Sequence, residues 1–313
     1  MLPGGVLGTS ACRKKGDQMR RNSIFTKRWV KGSAVLVATA ATLVFANPQQ
    51  AIATPLKGVD SATVSQSASN VVDIDFADGI KGRITFLEDG IFRYNVDPKG
   101  EFSEYATPRS KSHTAKIQAQ PDTSDTYSKP SATVADKGDT IEITGGKATV
   151  ILDKATGKMS IKSGDRVVVS ESASLDLDKK GTVQTLAKEK SENFFGGGTQ
   201  NGRFLHTNQT IAISNTNNWT DGGVASPNPF YWTSDGYGVL RNTFAEGSYD
   251  FGSTDSSTVT TLHSENEFDA YYFVATNEGA SNVATEMLQD YYKVTGNPVL
   301  LPEYGFYLGH LNA

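Results

Sequence analysis

The chain is nearly devoid of cysteine: Cys12 is the only one in 313 residues. No disulfide can form within it, and beyond residue 12 no Cys-zinc site or Cys nucleophile is available. Histidine is scarce as well. His113, His206, His263 and His310 show no HxH, HxxxH or HExxH spacing, so no His-ligated metal site is expected. No GxSxG elbow is present. The Gly-rich stretch 195–202 lacks the Lys of a phosphate-binding GxxxxGK[ST] loop and has no βαβ unit around it. Its expected role is close backbone packing at a sheet corner. No cofactor and no metal are called for. Long apolar runs are also missing, except for the fifteen residues 32–46, short of the roughly 20 that cross a bilayer as a helix.

The net charge of −4 hides an uneven distribution. Residues 1–53 carry eight Lys or Arg and one acid, Asp17, which leaves 22 basic and 33 acidic residues in the remainder. An acidic body argues against nucleic acid and anionic membranes as partners and suits a neutral substrate. The basic stretch 20–31, the apolar run and Ala51-Ile52-Ala53 together read as a signal peptide over 1–53, cleaved before Thr54. An uncleaved anchor is the alternative. Met19 opens a more ordinary signal than Met1 does. The expectation is a bacterial protein, of Gram-positive type, secreted or held at the cell surface, with no membrane association after cleavage.

Residues 54–70 are rich in Ser, Thr and Ala without periodicity and read as a linker. From residue 71 short alternating segments begin. Strands are predicted at 71–76, 83–87 and 91–96, the last two joined at Glu88-Asp89-Gly90. A further run at 140–143, 148–152, 158–161 and 166–169 is punctuated by Gly145-Gly146, Gly157 and Gly164. More strands follow at 211–214, 230–233, 238–242, 249–251 and 268–274. This is an antiparallel β pattern, a sandwich or barrel. The polar stretch 107–139, with Pro108, Pro121 and Pro130, reads as an excursion from the sheet. One helix is predicted over 281–295. Ser281 would cap it, Val283, Met287, Leu288, Tyr291 and Tyr292 would share a face, and Gly296 would stop it.

The stretch 215–235 is the most informative chemically. It combines Asn215, Asn217, Asn218 and Asp221 with Trp219, Phe230, Tyr231 and Trp232. Sugars need paired donors and acceptors for hydroxyls and aromatic rings for their C–H faces, and these residue types supply both. Equally, the aromatics could be buried and the Asn residues could simply make turns.

The order of motifs resembles glycoside hydrolase family 31. Ile91-Phe92-Arg93-Tyr94-Asn95-Val96-Asp97-Pro98 is similar to that family's first sandwich hairpin. Phe194-Phe195-Gly196-Gly197-Gly198, the Asn-rich loop, Pro229-Phe230-Tyr231-Trp232 and Gly236-Tyr237-Gly238-Val239-Leu240 then follow in the family's order. So do Phe268-Asp269-Ala270-Tyr271-Tyr272-Phe273, Tyr291-Tyr292-Lys293-Val294-Thr295-Gly296-Asn297-Pro298, and Leu301-Pro302-Glu303-Tyr304-Gly305-Phe306 at the entry to the barrel. Within the family the loop looks closest to bacterial enzymes that transfer glucosyl or isomaltosyl units on α-glucans, such as cycloalternan-forming enzymes.

The resemblance implies a mainly β fold. A galactose-mutarotase-like antiparallel β-sandwich over 71–300, with its terminal helix, would be followed over 301–313 by the first strand of a (β/α)8 barrel. It implies a retaining double displacement by two aspartates on later barrel strands, beyond Ala313, so no catalytic residue is assigned here. The partner it implies is an α-glucan oligosaccharide or polysaccharide. It also implies that a sandwich loop shapes the sugar pocket, at positions Asn217, Asn218, Trp219 and Asp221. Trp219 would stack on a sugar and Asp221 would accept a hydroxyl. His310 and Asn312, where the first barrel strand would end, are further substrate-binding candidates. The competing reading is a stand-alone carbohydrate-binding or mutarotase-like module, whose His and Glu would come from His206, His263 and Glu265.

Overall fold

A computed structural model describes residues 55–102, 122, 125–178, 180–276 and 280–298. The expected signal peptide, the barrel-entry strand, His310 and Asn312 lie outside the described residues.

The described chain is almost all antiparallel β structure. The largest sheet runs, edge to edge, β1 (Val59–Val64), β2 (Val71–Phe76), β3 (Lys81–Glu88), β4 (Ile91–Asp97), β18 (Phe268–Val274), β15 (Tyr237–Arg241), β14 (Val224–Thr233) and β12 (Phe194–Gln200). A five-stranded sheet holds β10 (Asp176–Asp178), β11 (Gly181–Ala187), β17 (Thr258–His263), β16 (Gly247–Asp250) and β13 (Thr210–Ile213). A second five-stranded sheet is a meander of β5 (Ala132–Asp136), β6 (Thr140–Gly145), β7 (Ala148–Asp153), β8 (Met159–Ser163) and β9 (Arg166–Ser170).

Alternation of side chains turns these strands into a sandwich. Phe92, Tyr94 and Val96 of β4 and Phe268, Ala270 and Tyr272 of β18 face a core shared with Ile141, Ile143, Val150 and Leu152 of the meander. Leu177, Leu186, Tyr249 and Val259 of the other small sheet complete it. The intervening residues of the large sheet face the opposite way. There Ile91, Phe230, Leu240, Tyr271 and Phe273 form a second cluster, covered by Val283, Met287 and Val294 of the helix α1 (Ala280–Thr295).

The β-sandwich expected from the sequence is therefore present, with the hairpin at Asp89-Gly90 and the glycine turns of the meander where the pattern put them. Four details differ. The supposed linker contains β1, which pairs with β2 from Val59 to Val64. The supposed excursion contains β5, paired with β6. Helix α1 is described over Ala280–Thr295, so Ser281 lies inside it and is not its cap. Leu288 points to solvent, because the buried stripe runs through Val283, Met287 and Val294. Gly296 ends the helix as expected, at φ 86° with its N–H bonded to the Tyr292 carbonyl (2.8 Å).

Candidate functional site

The loop between β13 and β14, residues 214–223, stands out from the sandwich. Residues 215–222 are exposed, yet the loop's backbone is pinned from several sides. Asn215 Oδ1 accepts the Asn217 N–H (2.8 Å), and Asn217 adopts a left-handed φ of 48°, a conformation Asn tolerates better than most residues. Asn218 Oδ1 accepts both the N–H and the hydroxyl of Thr220, at 3.0 and 2.7 Å. Its own N–H reaches the Val224 carbonyl (3.3 Å). The Asn residues thus make turns, as one of the two sequence readings held.

The Gly-rich stretch supplies the clamp on the other side. Asn201, at the end of β12, donates its N–H to Gly223 (3.0 Å), accepts from the Gly222 N–H (2.9 Å), and donates Nδ2 to the Asn218 carbonyl (2.7 Å). The Asp221 carboxylate lies directly over Gly202, where a Cβ would have no room. No spacing rule in the sequence points to Asn201 as a loop holder, because the contact joins two loops whose approach depends on β12 pairing with β14.

The aromatics of this stretch divide into two groups. Phe230 is buried and stacks on Tyr291 of α1 at 4.2 Å. Tyr231 is buried in the sandwich core, and Trp232 stacks on Phe195 at 4.4 Å. Trp219 alone of the four is free of the core, 67% exposed, and its indole Nε1–H is held by Asn217 Oδ1 at 3.1 Å. The ring is presented to solvent by a fixed loop, which is what a stacking platform requires, and it does not anchor the loop to the sandwich.

The mutarotase-like candidates fall elsewhere. His263 is fully buried, with Nδ1 at the Ala245 carbonyl (3.0 Å) and Nε2 at the Tyr249 hydroxyl (2.9 Å). Burial pushes its pKa down to about 3, helped by the Arg241 charge. Glu265 pairs with Arg241 (3.1 Å) and accepts the Thr243 hydroxyl (2.6 Å). His206 is buried against the Gly196 carbonyl (3.0 Å). With both ring nitrogens of His263 committed inside the core, this trio offers no proton relay to a sugar. Among the described residues, no group of three or more His, Cys, Asp or Glu is placed to hold a metal ion.

Residues 81–250 match glycosyl hydrolase 31 N-terminal galactose mutarotase-like domains. The chain belongs to this family. It is 30% identical over 130 residues to an α-xylosidase of Emericella nidulans, a stretch covering 41% of the chain and 16% of that enzyme. Its fold is similar to a Flavobacterium johnsoniae family 31 dextranase solved with glucose, with a TM-score of 0.68 at 17% identity, over 80% of this chain and 29% of that one. It is also similar to the cycloalternan-forming enzyme of Listeria monocytogenes solved with a pentasaccharide, with a TM-score of 0.63 at 14% identity, over 80% of this chain and 23% of that one. The chain thus spans less than a third of the length of each of these three relatives. In this glycosyl hydrolase 31 domain, the Gly-rich strand forms one edge of the large sheet and holds the loop beside it, while the helix covers the outer face of the central strands.

Proposed function

We propose that this chain is the sandwich part of an exported, retaining enzyme that hydrolyses or transfers α-glucosyl units, with loop 214–223 as one wall of its sugar pocket. The carrying observation is Trp219, two-thirds exposed on a loop that hydrogen bonds hold rigid. A fixed platform loses little entropy when a sugar docks on it. Asn217 and Asn218 shape the loop, and Asp221, exposed beside Gly202, offers the acceptor for a hydroxyl. The dextranase and the cycloalternan-forming enzyme, one solved with glucose and the other with a pentasaccharide, support an α-glucan as the ligand class. The retaining pair of aspartates belongs to the family's barrel, and no residue of the sandwich takes that role.

The test uses the full-length enzyme. Trp219→Ala and Asp221→Asn should each lower kcat/KM on isomaltose or maltose roughly ten- to hundredfold, the loss of about 1.5–3 kcal/mol of transition-state binding. The melting temperature of Asp221→Asn should stay within a degree or two of wild type. Activity that persists while the melting temperature drops would make the loop structural and the reading wrong. The 313-residue chain alone should release no glucose from either disaccharide, and export is checked by whether the mature protein begins at Thr54.

A further inference from the structure

The large sheet carries a second polar surface, on strands β2, β3, β4 and β18 and on the face opposite the sandwich core. Cross-strand register aligns it in two rows. One runs Asp73, Arg83, Asn95, Asp269, and the next Val71, Thr85, Arg93, Tyr271. A cavity of about 440 Å³ opens above these rows, floored by Arg83, Thr85, Arg93 and Asn95 and walled in part by Phe102 and Asp122. That volume lies in the range of small-ligand sites, about 300–1,000 Å³. No residue of loop 214–223 lines it.

The charges around the cavity are matched in pairs. Arg93 grips Asp269 through Nε–Oδ1 (2.8 Å) and Nη2–Oδ2 (2.6 Å), and Asp122 through Nη1 (2.8 Å). The Tyr271 hydroxyl donates to Asp122 at 3.3 Å. Arg83 binds Asp73 (2.7 Å) and lays its guanidinium 4.5 Å from the centre of the Phe102 ring. An ionic ligand would have to break these pairs, so the geometry disfavours one. Asn95 is different. It is 5% exposed, lines the cavity, and its Oδ1 is buried without a hydrogen-bond partner among the described residues. A buried acceptor left unpaired is unfavourable, and a turn of the Asn95 amide towards the cavity it lines would bring that oxygen to a ligand hydroxyl. The Thr85 hydroxyl stands in the adjoining row, and Phe102 adds an apolar wall.

We infer that this cavity is a sugar site separate from the loop, taking a neutral mono- or disaccharide through Asn95, Thr85 and Phe102. An unpaired buried acceptor, an aromatic wall and matched charges together select a polyhydroxylated, uncharged ring over an anion or an apolar ligand. This inference does not depend on the role given to Trp219. Isomaltose, maltose and inorganic phosphate are titrated in turn into the purified chain and followed by ligand-observed NMR and calorimetry. Saturable binding of a disaccharide is expected. It should weaken about tenfold in Phe102→Ala, at the cavity wall, and in Asn95→Leu. Trp219→Ala should leave it unchanged. Lack of saturable binding, binding lost in Trp219→Ala but kept in Phe102→Ala, or phosphate saturating the chain in place of sugars would each overturn the assignment.

Discussion

Glu171 shows how a polar residue is retained in the sandwich interior. Its Oε2 accepts the Met159 N–H (2.9 Å) and its Oε1 accepts Gln184 Nε2 (2.8 Å), which also lies 2.8 Å from the Tyr272 hydroxyl. Burial pushes the Glu171 carboxyl up to about 7, and the bonds from Gln184 and Met159 offset only part of that shift. A carboxyl whose folded pKa is raised favours the folded state while protonated. That contribution is complete below about 4.5, the unfolded value, and is lost as pH rises through about 7. Glu171→Gln keeps the shape and removes the charge. At pH 8 it should be more stable than wild type by about 2–3 kcal/mol, and at pH 4 the two should melt together. Denaturant melts at the two pH values check this. A variant that is less stable at pH 8 would show that the charged form is held by contacts stronger than its burial cost.

At the scale of the element, β12 is the unusual strand. Three consecutive glycines occupy an edge that must lie close against β14, with register shifts at Gly196/Gly198 and at Thr199/Gln200. Gly198 has φ 77°, and a Cβ there would meet the Ser226 carbonyl oxygen at 2.2 Å and the Asn228 nitrogen at 2.5 Å. Neither backbone atom can move without breaking the β12–β14 pairing. Gly138, at φ 86°, has open space where a Cβ would stand. Gly138→Ala should therefore cost only the left-handed strain, about 1 kcal/mol, and Gly198→Ala about 2–4 kcal/mol. Thermal melts of both variants separate the terms. Equal losses would mean that close approach in β12 carries no weight. Since β12 leads into Asn201, Gly198→Ala should also loosen loop 214–223.

Over the whole molecule, stability should follow an unusual pH profile. Burial raises Glu192 and Glu267 to about 7 as it does Glu171, with Asp235 and the neighbouring carboxylates Glu265, Asp269 and Asp97 adding to the rise. All three lose their contribution as pH climbs from about 4.5 through about 7. His263 works in the opposite direction. Held neutral by burial at about 3, it contributes above its unfolded value of 6.5, and that contribution is lost as pH falls towards 3. Burial lowers His206 as well, and between these limits the three carboxyls outweigh the two imidazoles. Scanning calorimetry should find the highest Tm near about pH 5, falling towards neutrality. A maximum above pH 7.5 would contradict it.

The sequence by itself determined the β class, the meander, the first hairpin, the helix near 281–295 and the family. Each of these rests on local signals: alternation, glycine turns, helical spacing and motif order. Six strands escaped that reading, for a physical reason. β11 and β17 bury Thr182, Gln184, Thr261 and His263, so polar residues occupy the positions where alternation would show apolar ones. β12 has glycines in place of a pattern, β10 is only three residues long, and β1 and β5 lie at sheet edges with most of their residues not buried. Residue type alone could not separate Trp219 from Phe230, Tyr231 and Trp232. The first is exposed because its loop leaves the sheet, and the others are packed because they lie on β14. The rows that carry Asn95, Thr85 and Arg93 exist only through the register of four strands, two of them nearly two hundred residues apart in the chain. Such juxtapositions are set by which strand pairs with which, and only the tertiary structure decides that.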